Sequence, residues 1–112
     1  MELVRLSSPA WHLGPIRFAE TFFTRLRGIR SEEAALLLAT RSVHAFWPAR
    51  RLLVVGIDPT GLVVGLTPLR RARVVAFPTA VLVLELDSSL IPPVVGDRVA
   101  IDLSNVTACP AV

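Results

Sequence analysis

The run Ser42-Val43-His44-Ala45-Phe46-Trp47-Pro48-Ala49-Arg50-Arg51 gathers the side chains of this chain best suited to chemistry. His44 could serve as a general base or as a donor that orients a ligand. Phe46 and Trp47 could floor a pocket or meet a partner, and Arg50 with Arg51 could fork an anion. The plainer role for such a histidine is structural, half-buried and bonded to backbone or to Glu85 or Asp58. Trp47 would then be core or a loop anchor.

Glu85 is the second group that stands out. It interrupts the apolar run Ala80–Leu86, where alternation puts it opposite Leu84 and Leu86 and beside Val83. A buried carboxylate without a cation costs several kcal/mol, so an ion pair with Arg27 or Arg98 is expected, structural rather than catalytic. The arginines at 70, 71 and 73, perhaps joined by Arg50 and Arg51, could hold phosphate or nucleic acid. No nucleic-acid motif accompanies them, and none of the chain's aromatics (6 %) is interleaved there. A solvated edge strand guarded by charge accounts for them as well, and nucleic acid is not expected as a partner.

Several chemistries are excluded outright. All twelve basic residues are arginine, and tyrosine is absent. Without lysine there is no phosphate loop of the G-x-x-x-x-G-K type and no Schiff base. Tyrosine-based acid catalysis is excluded too. His12, His44 and Cys109 are spaced unlike any metal-ligand set, so neither metal nor cofactor is expected. There is no G-x-S-x-G elbow, and the lone cysteine rules out an internal disulfide.

The elements that must position these groups are short. Glu2–Leu6 reads as a strand and Ser7–Pro15, with Pro9, Gly14 and Pro15, as a connection. Phe22, Phe23, Leu26 and Ile29 recur at helical spacing, which predicts a short helix over about 19–28 ended by Gly28. Ser31–Glu33 reads as a turn, Ala34–Thr40 as a buried strand and Val43–Phe46 as a strand stopped by Pro48. Residues 51–66 form the clearest hairpin, turning at Asp58-Pro59-Thr60-Gly61. Thr67–Arg73 is a loop or an edge because of Pro68, and Val74–Phe77 a short strand. Ala80–Leu86 is a buried strand, Asp87–Val95 holds Pro92-Pro93 and a single helical turn, and Arg98–Leu103 is the last strand. This pattern predicts one domain over 1–112, mostly β with one or two short helices. A strongly bent antiparallel or mixed sheet would approach a small barrel.

Length and composition agree with that outline. A chain of 112 residues suffices for one core. Apolar residues make up 53 % and the mean hydropathy is +0.60, a surplus that points to a homodimer or a protein partner. No uncharged stretch exceeds eleven residues, well under the ~20 of a spanning helix. The N-terminus lacks the apolar block of a signal peptide, so a cytoplasmic protein is the default. A pI near 11.0 accompanies a net charge of only +3, so arginine's high pKa, rather than a strong field, sets it.

Taken in order, Arg25-Leu26-Arg27-Gly28-Ile29, Ser42-Val43-His44-Ala45-Phe46, Val54–Asp58, Val83-Leu84-Glu85-Leu86 and Gly96-Asp97-Arg98-Val99 resemble the family called domain of unknown function 192, over about residues 18–102. The resemblance implies a small, mostly β domain with a helix at the Arg27-Gly28 motif. It supplies no catalytic residue. The chain departs from the family's run where a site would matter: Pro48 and Ala49 occupy the Met and Arg/Lys positions, and Arg51 and Leu53 replace a proline and an aspartate. The sequence therefore suggests a non-enzymatic binding or accessory module with a small pocket near His44, Phe46, Trp47 and Arg50. The alternatives are a small hydrolase-like enzyme pairing His44 with Glu85 or Asp58 and, further off, an arginine-mediated nucleic-acid binder.

Overall fold

The computed structural model describes residues 3–19, 33–45, 51–69 and 73–102, with the backbone alone at His44, Ala45 and Arg73. Nine strands run through them: β1 Leu3–Ser8, β2 Trp11–Ala19, β3 Ala35–Leu38, β4 Ser42–Ala45, β5 Leu52–Ile57, β6 Val63–Leu69, β7 Arg73–Ala76, β8 Leu82–Asp87 and β9 Ala100–Asp102. Seven of them form one curled sheet in the order β6-β5-β8-β3-β2-β1-β9, a half-barrel. The other two, β4 and β7, pair as a separate antiparallel ribbon.

The sheet is mixed, as expected, because β2 and β3 run parallel while the remaining pairs are antiparallel. A parallel pair needs a crossover, and residues 20–32 provide it. The helix expected over about 19–28 falls there, outside the described residues, apart from Ala19, which ends β2. Among the described residues there is no helix, so the one or two short helices of the sequence reading are not found in them. The helical turn expected within 87–95 is instead a hydrogen-bonded turn, Leu90 N–H to Asp87 C=O at 3.0 Å, followed by irregular chain through Pro92-Pro93. None of the described elements is a helix long and apolar enough to cross a membrane.

The first hairpin corrects the sequence reading. Ser7–Pro15 is not a connection: β1 continues to Ser8, Pro9-Ala10 make the turn, and β2 begins at Trp11. Gly14 and Pro15 sit inside β2, opposite a break in register between Val4 and Leu6. Such irregularities are where strands accept glycine and proline. Gly14 has φ +120, and a Cβ there would lie 2.7 Å from the Val4 carbonyl oxygen, so the position demands glycine.

Each face of the sheet carries its own core. Inside the curl, Val4, Leu6, Leu37, Val55, Leu84 and Leu86 are sealed from solvent along with residues from every long strand. The segment 96–102 draws the two sheet edges together at one end. Val63 N–H bonds the Asp97 carbonyl at 2.9 Å and Val99 N–H the Gly61 carbonyl at 2.8 Å, after which β9 pairs with β1. Trp11 fastens the preceding loop, its indole N–H donating to the Ile91 carbonyl at 2.7 Å. On the outer face, Leu36, Leu38, Leu52, Val54 and Val83 pack with Val43, Val75 and Phe77, so the β4–β7 ribbon caps a second core.

Candidate functional site

The ribbon carries His44, the first of the four residues of the sequence-predicted site. Its register pairs Ser42 with Ala76, Val43 with Val75, His44 with Val74 and Ala45 with Arg73. Val43 is buried against the sheet, and Val74, opposite His44, is 63 % exposed. Phe46, Trp47 and Arg50 lie outside the described residues. Arg51 is exposed, and its carbonyl accepts the Ser88 N–H at 3.0 Å, which extends β5 by one position toward the junction.

Register also fixes what this junction joins. Ala45 faces Arg73 at one end of the ribbon, and Leu52 faces Leu69 at one end of the β5–β6 pair. Residues 46–51 and 70–72 therefore connect the same two strand ends. The arginines at 70 and 71 also lie outside the described residues, but the chain on either side of them is placed.

Of the two carboxylates named as partners for His44, Asp58 is engaged locally. Its Oδ1 accepts the Thr60 N–H at 2.8 Å, the Thr60 hydroxyl at 2.7 Å and the Leu62 N–H at 3.0 Å. These bonds, the Thr60 hydroxyl foremost, hold the Asp58 carboxyl below the usual carboxylate range, with Arg98 adding a smaller attraction. Asp58 also lies at the far end of β5 from Leu52, roughly 20 Å along the strand. Glu85 is buried, 4 % exposed, in the middle of the sheet between Val54 and Leu36 on the outer-core face. Its face is the one alternation gives it, shared with Val83 and opposite Leu84 and Leu86, and the condition on which the sequence asked for a cationic partner, burial, is met.

The partners expected for Glu85 fare differently. Arg27 lies outside the described residues. Arg98 is exposed, and its Nη2 donates to the Thr60 hydroxyl at 3.3 Å, so the structure assigns it to the Asp58 turn. Sequence reasoning missed a different cation on the same face. Arg17 is 4 % exposed and grips Glu33 with two parallel bonds, Nε to Oε2 and Nη2 to Oε1, both 2.8 Å. Cross-strand pairing runs Arg17–Leu36–Glu85–Val54, which puts Arg17 and Glu85 in one row with a leucine between them. The signal was alternation through Ile16-Arg17-Phe18-Ala19, masked by Pro15 and by the helical spacing that follows. Among the described residues no group of three or more His, Cys, Asp or Glu comes together.

No protein-family model matches the chain, and no curated protein matches it significantly. Among solved structures it is similar to a protein of Sinorhizobium meliloti 1021 described as a candidate transcription regulator. The TM-score is 0.66 at 20 % identity, over 88 % of this chain and 92 % of that one. This likeness defines the class of fold: a small curled β domain.

Proposed function

We propose that the chain is a small binding or accessory module rather than an enzyme, a reading that rests on the aromatic–histidine–arginine group of the sequence and not on the resemblance to domain of unknown function 192. Its contact surface is the junction where β4 passes into β5, with His44, Phe46, Trp47 and Arg50 as the residues that meet the ligand. The observation that carries this reading is the register of the β4–β7 ribbon. It sets His44 opposite an exposed valine, and it places the strand ends at Ala45 and Arg73 and at Leu52 and Leu69 that flank the candidate segment. An aromatic pair beside guanidiniums on a rigid double-layer scaffold suits recognition. The hydrolase reading needs a carboxylate free to orient His44, and Asp58 already accepts three hydrogen bonds within its own turn. The description of the Sinorhizobium protein also suits a binding role.

A thermal-shift screen of neutral and charged small molecules tests this on wild type, His44→Ala and Trp47→Ala. The expected result is a ligand that raises the melting temperature of wild type and loses at least half of that shift in either variant. A stabilising ligand whose shift survives both substitutions would remove the junction as the site.

A further inference from the structure

We infer that a second copy of this chain docks on the loop 88–95 across a two-fold axis, at a surface separate from the β4–β5 junction. Among the described residues six large apolar side chains are exposed, and three of them fall in this one loop: Ile91 (80 %), Val94 (65 %) and Val95 (51 %). Apolar side chains gathered in this way mark contact surfaces. They stand on a fixed backbone. Pro93 is buried, Leu90 packs against the inner core, the Trp11 indole holds the Ile91 carbonyl at 2.7 Å, and the Gly96 N–H bonds the Val63 carbonyl at 2.9 Å. A partner therefore meets the three side chains without first having to order the loop.

An added strand is a poor fit here, because it needs a run of backbone donors. Pro92 and Pro93 have none, and the N–H groups of Leu90, Gly96 and Asp97 already bond the carbonyls of Asp87, Val63 and Val94. The contact is thus made by side chains. Asp97 and Arg98, adjacent and both exposed, follow Val95 with only Gly96 between. Arg98 spends one donor on the Thr60 hydroxyl at 3.3 Å and keeps others, while Asp87, half-buried at the far end of the loop, accepts the Ser89 N–H at 2.9 Å. A rim of one sign would select a partner of the other. The Asp97-Arg98 pair is complementary to itself, because a two-fold axis beside it sets each Asp97 against the Arg98 of the other copy. Size agrees with a reversible pair. At roughly 100 Å² for an exposed valine or isoleucine side chain, the three offer roughly 200 Å² per protomer and roughly 400 Å² for a pair. With Ser88, Ser89, Gly96, Asp97 and Arg98 exposed around them, the contact reaches the low end of specific interfaces, about 1,200 Å² in total. A Kd of roughly 10–100 µM is expected for such a contact.

Sedimentation velocity of the full chain, over about a hundredfold range of concentration centred on that value, tests this. Wild type should pass from monomer to dimer. Ile91→Ser/Val94→Ser, at exposed positions, should keep the melting temperature of the monomer and dimerise at least roughly tenfold more weakly. Arg98→Asp and Asp97→Arg each set like charges across the axis and should each stay monomeric, whereas an equal mixture of the two should dimerise again. Should the double serine variant fold poorly, this mixing experiment, which leaves the apolar side chains in place, decides alone. A wild type that stays monomeric throughout overturns the inference and leaves the patch to a different protein. A dimer that Ile91→Ser/Val94→Ser leaves intact overturns it as well, by placing the contact elsewhere. Charge variants that dimerise singly, or that fail to associate when mixed, overturn the two-fold pairing of Asp97 with Arg98.

Discussion

Gly56 and Gly65 face each other across the β5–β6 hairpin, and the ring of Phe77 lies over both. A Cβ at Gly56 would sit 2.7 Å from Phe77 Cδ2 and 2.8 Å from its Cβ, and one at Gly65 would sit 2.7 Å from Cδ1. Carbon atoms rest at roughly 3.5–4.0 Å, so either methyl group overlaps the ring by nearly an ångström. Overpacking of this kind costs about 1–3 kcal/mol. Gly56 does not have a positive φ, so alanine there meets no backbone strain and gains about 0.4–1 kcal/mol from a less flexible unfolded chain. Gly56→Ala should therefore lose about 1–2 kcal/mol net, all of it through Phe77. Phe77→Ala alone should lose about 3–5 kcal/mol, since Phe77 is buried in the outer core. With the ring removed the sign reverses: Gly56→Ala added to Phe77→Ala should be neutral or stabilising. Urea unfolding followed by circular dichroism on the four proteins gives the coupling energy, expected near 2 kcal/mol. If Gly56→Ala costs as much without the ring as with it, the contact is not why glycine stands there, and the seating of the ribbon on the sheet must be drawn differently.

Other perturbations read the remaining parts of the scaffold. Arg17→Ala, which leaves Glu33 without its fork, should cost about 3–5 kcal/mol in denaturant unfolding, as breaking one side of a buried pair does. Asp58→Ala should lower the melting temperature at neutral pH. Because the folded carboxyl titrates below its ordinary 3.8, this stabilisation is fully present above that value and is lost as pH falls through the folded pKa. The gap between wild type and variant should therefore begin to narrow only below about pH 4 and vanish only once the pH is under the depressed folded pKa. Trp11→Phe deletes the bond to the Ile91 carbonyl and should speed amide hydrogen exchange in the loop 88–95, with an overall loss of about 1 kcal/mol.

What the sequence shows of this fold depends on how local the cause is. The hairpin over 51–66 is legible because strand alternation and a proline–glycine turn lie within one stretch of chain, and Asp58 completes the turn with bonds to Thr60 and Leu62. The face on which Glu85 lies is legible for the same reason, whereas its burial depends on the second core that covers the outer side of the sheet. The β1–β2 hairpin is not, because Pro9, Gly14 and Pro15 look like a loop. They are tolerated only by a bulge that the partner strand creates. Arg17 gives no sign of burial until Glu33, sixteen residues on, is brought beside it by the parallel pairing of β2 and β3.

The candidate site follows the same rule. From residue types alone, Arg50-Arg51 and Arg70-Arg71-Arg73 can be grouped only by their shared charge, and a solvated edge strand accounts for the second group as well. What relates them is the pairing of β4 with β7 and of β5 with β6, two non-local registers that no periodicity announces. Pairing fixes both ends of two short connections at once. The ends at Ala45 and Arg73, and at Leu52 and Leu69, are thereby placed together, which the residue types alone do not announce.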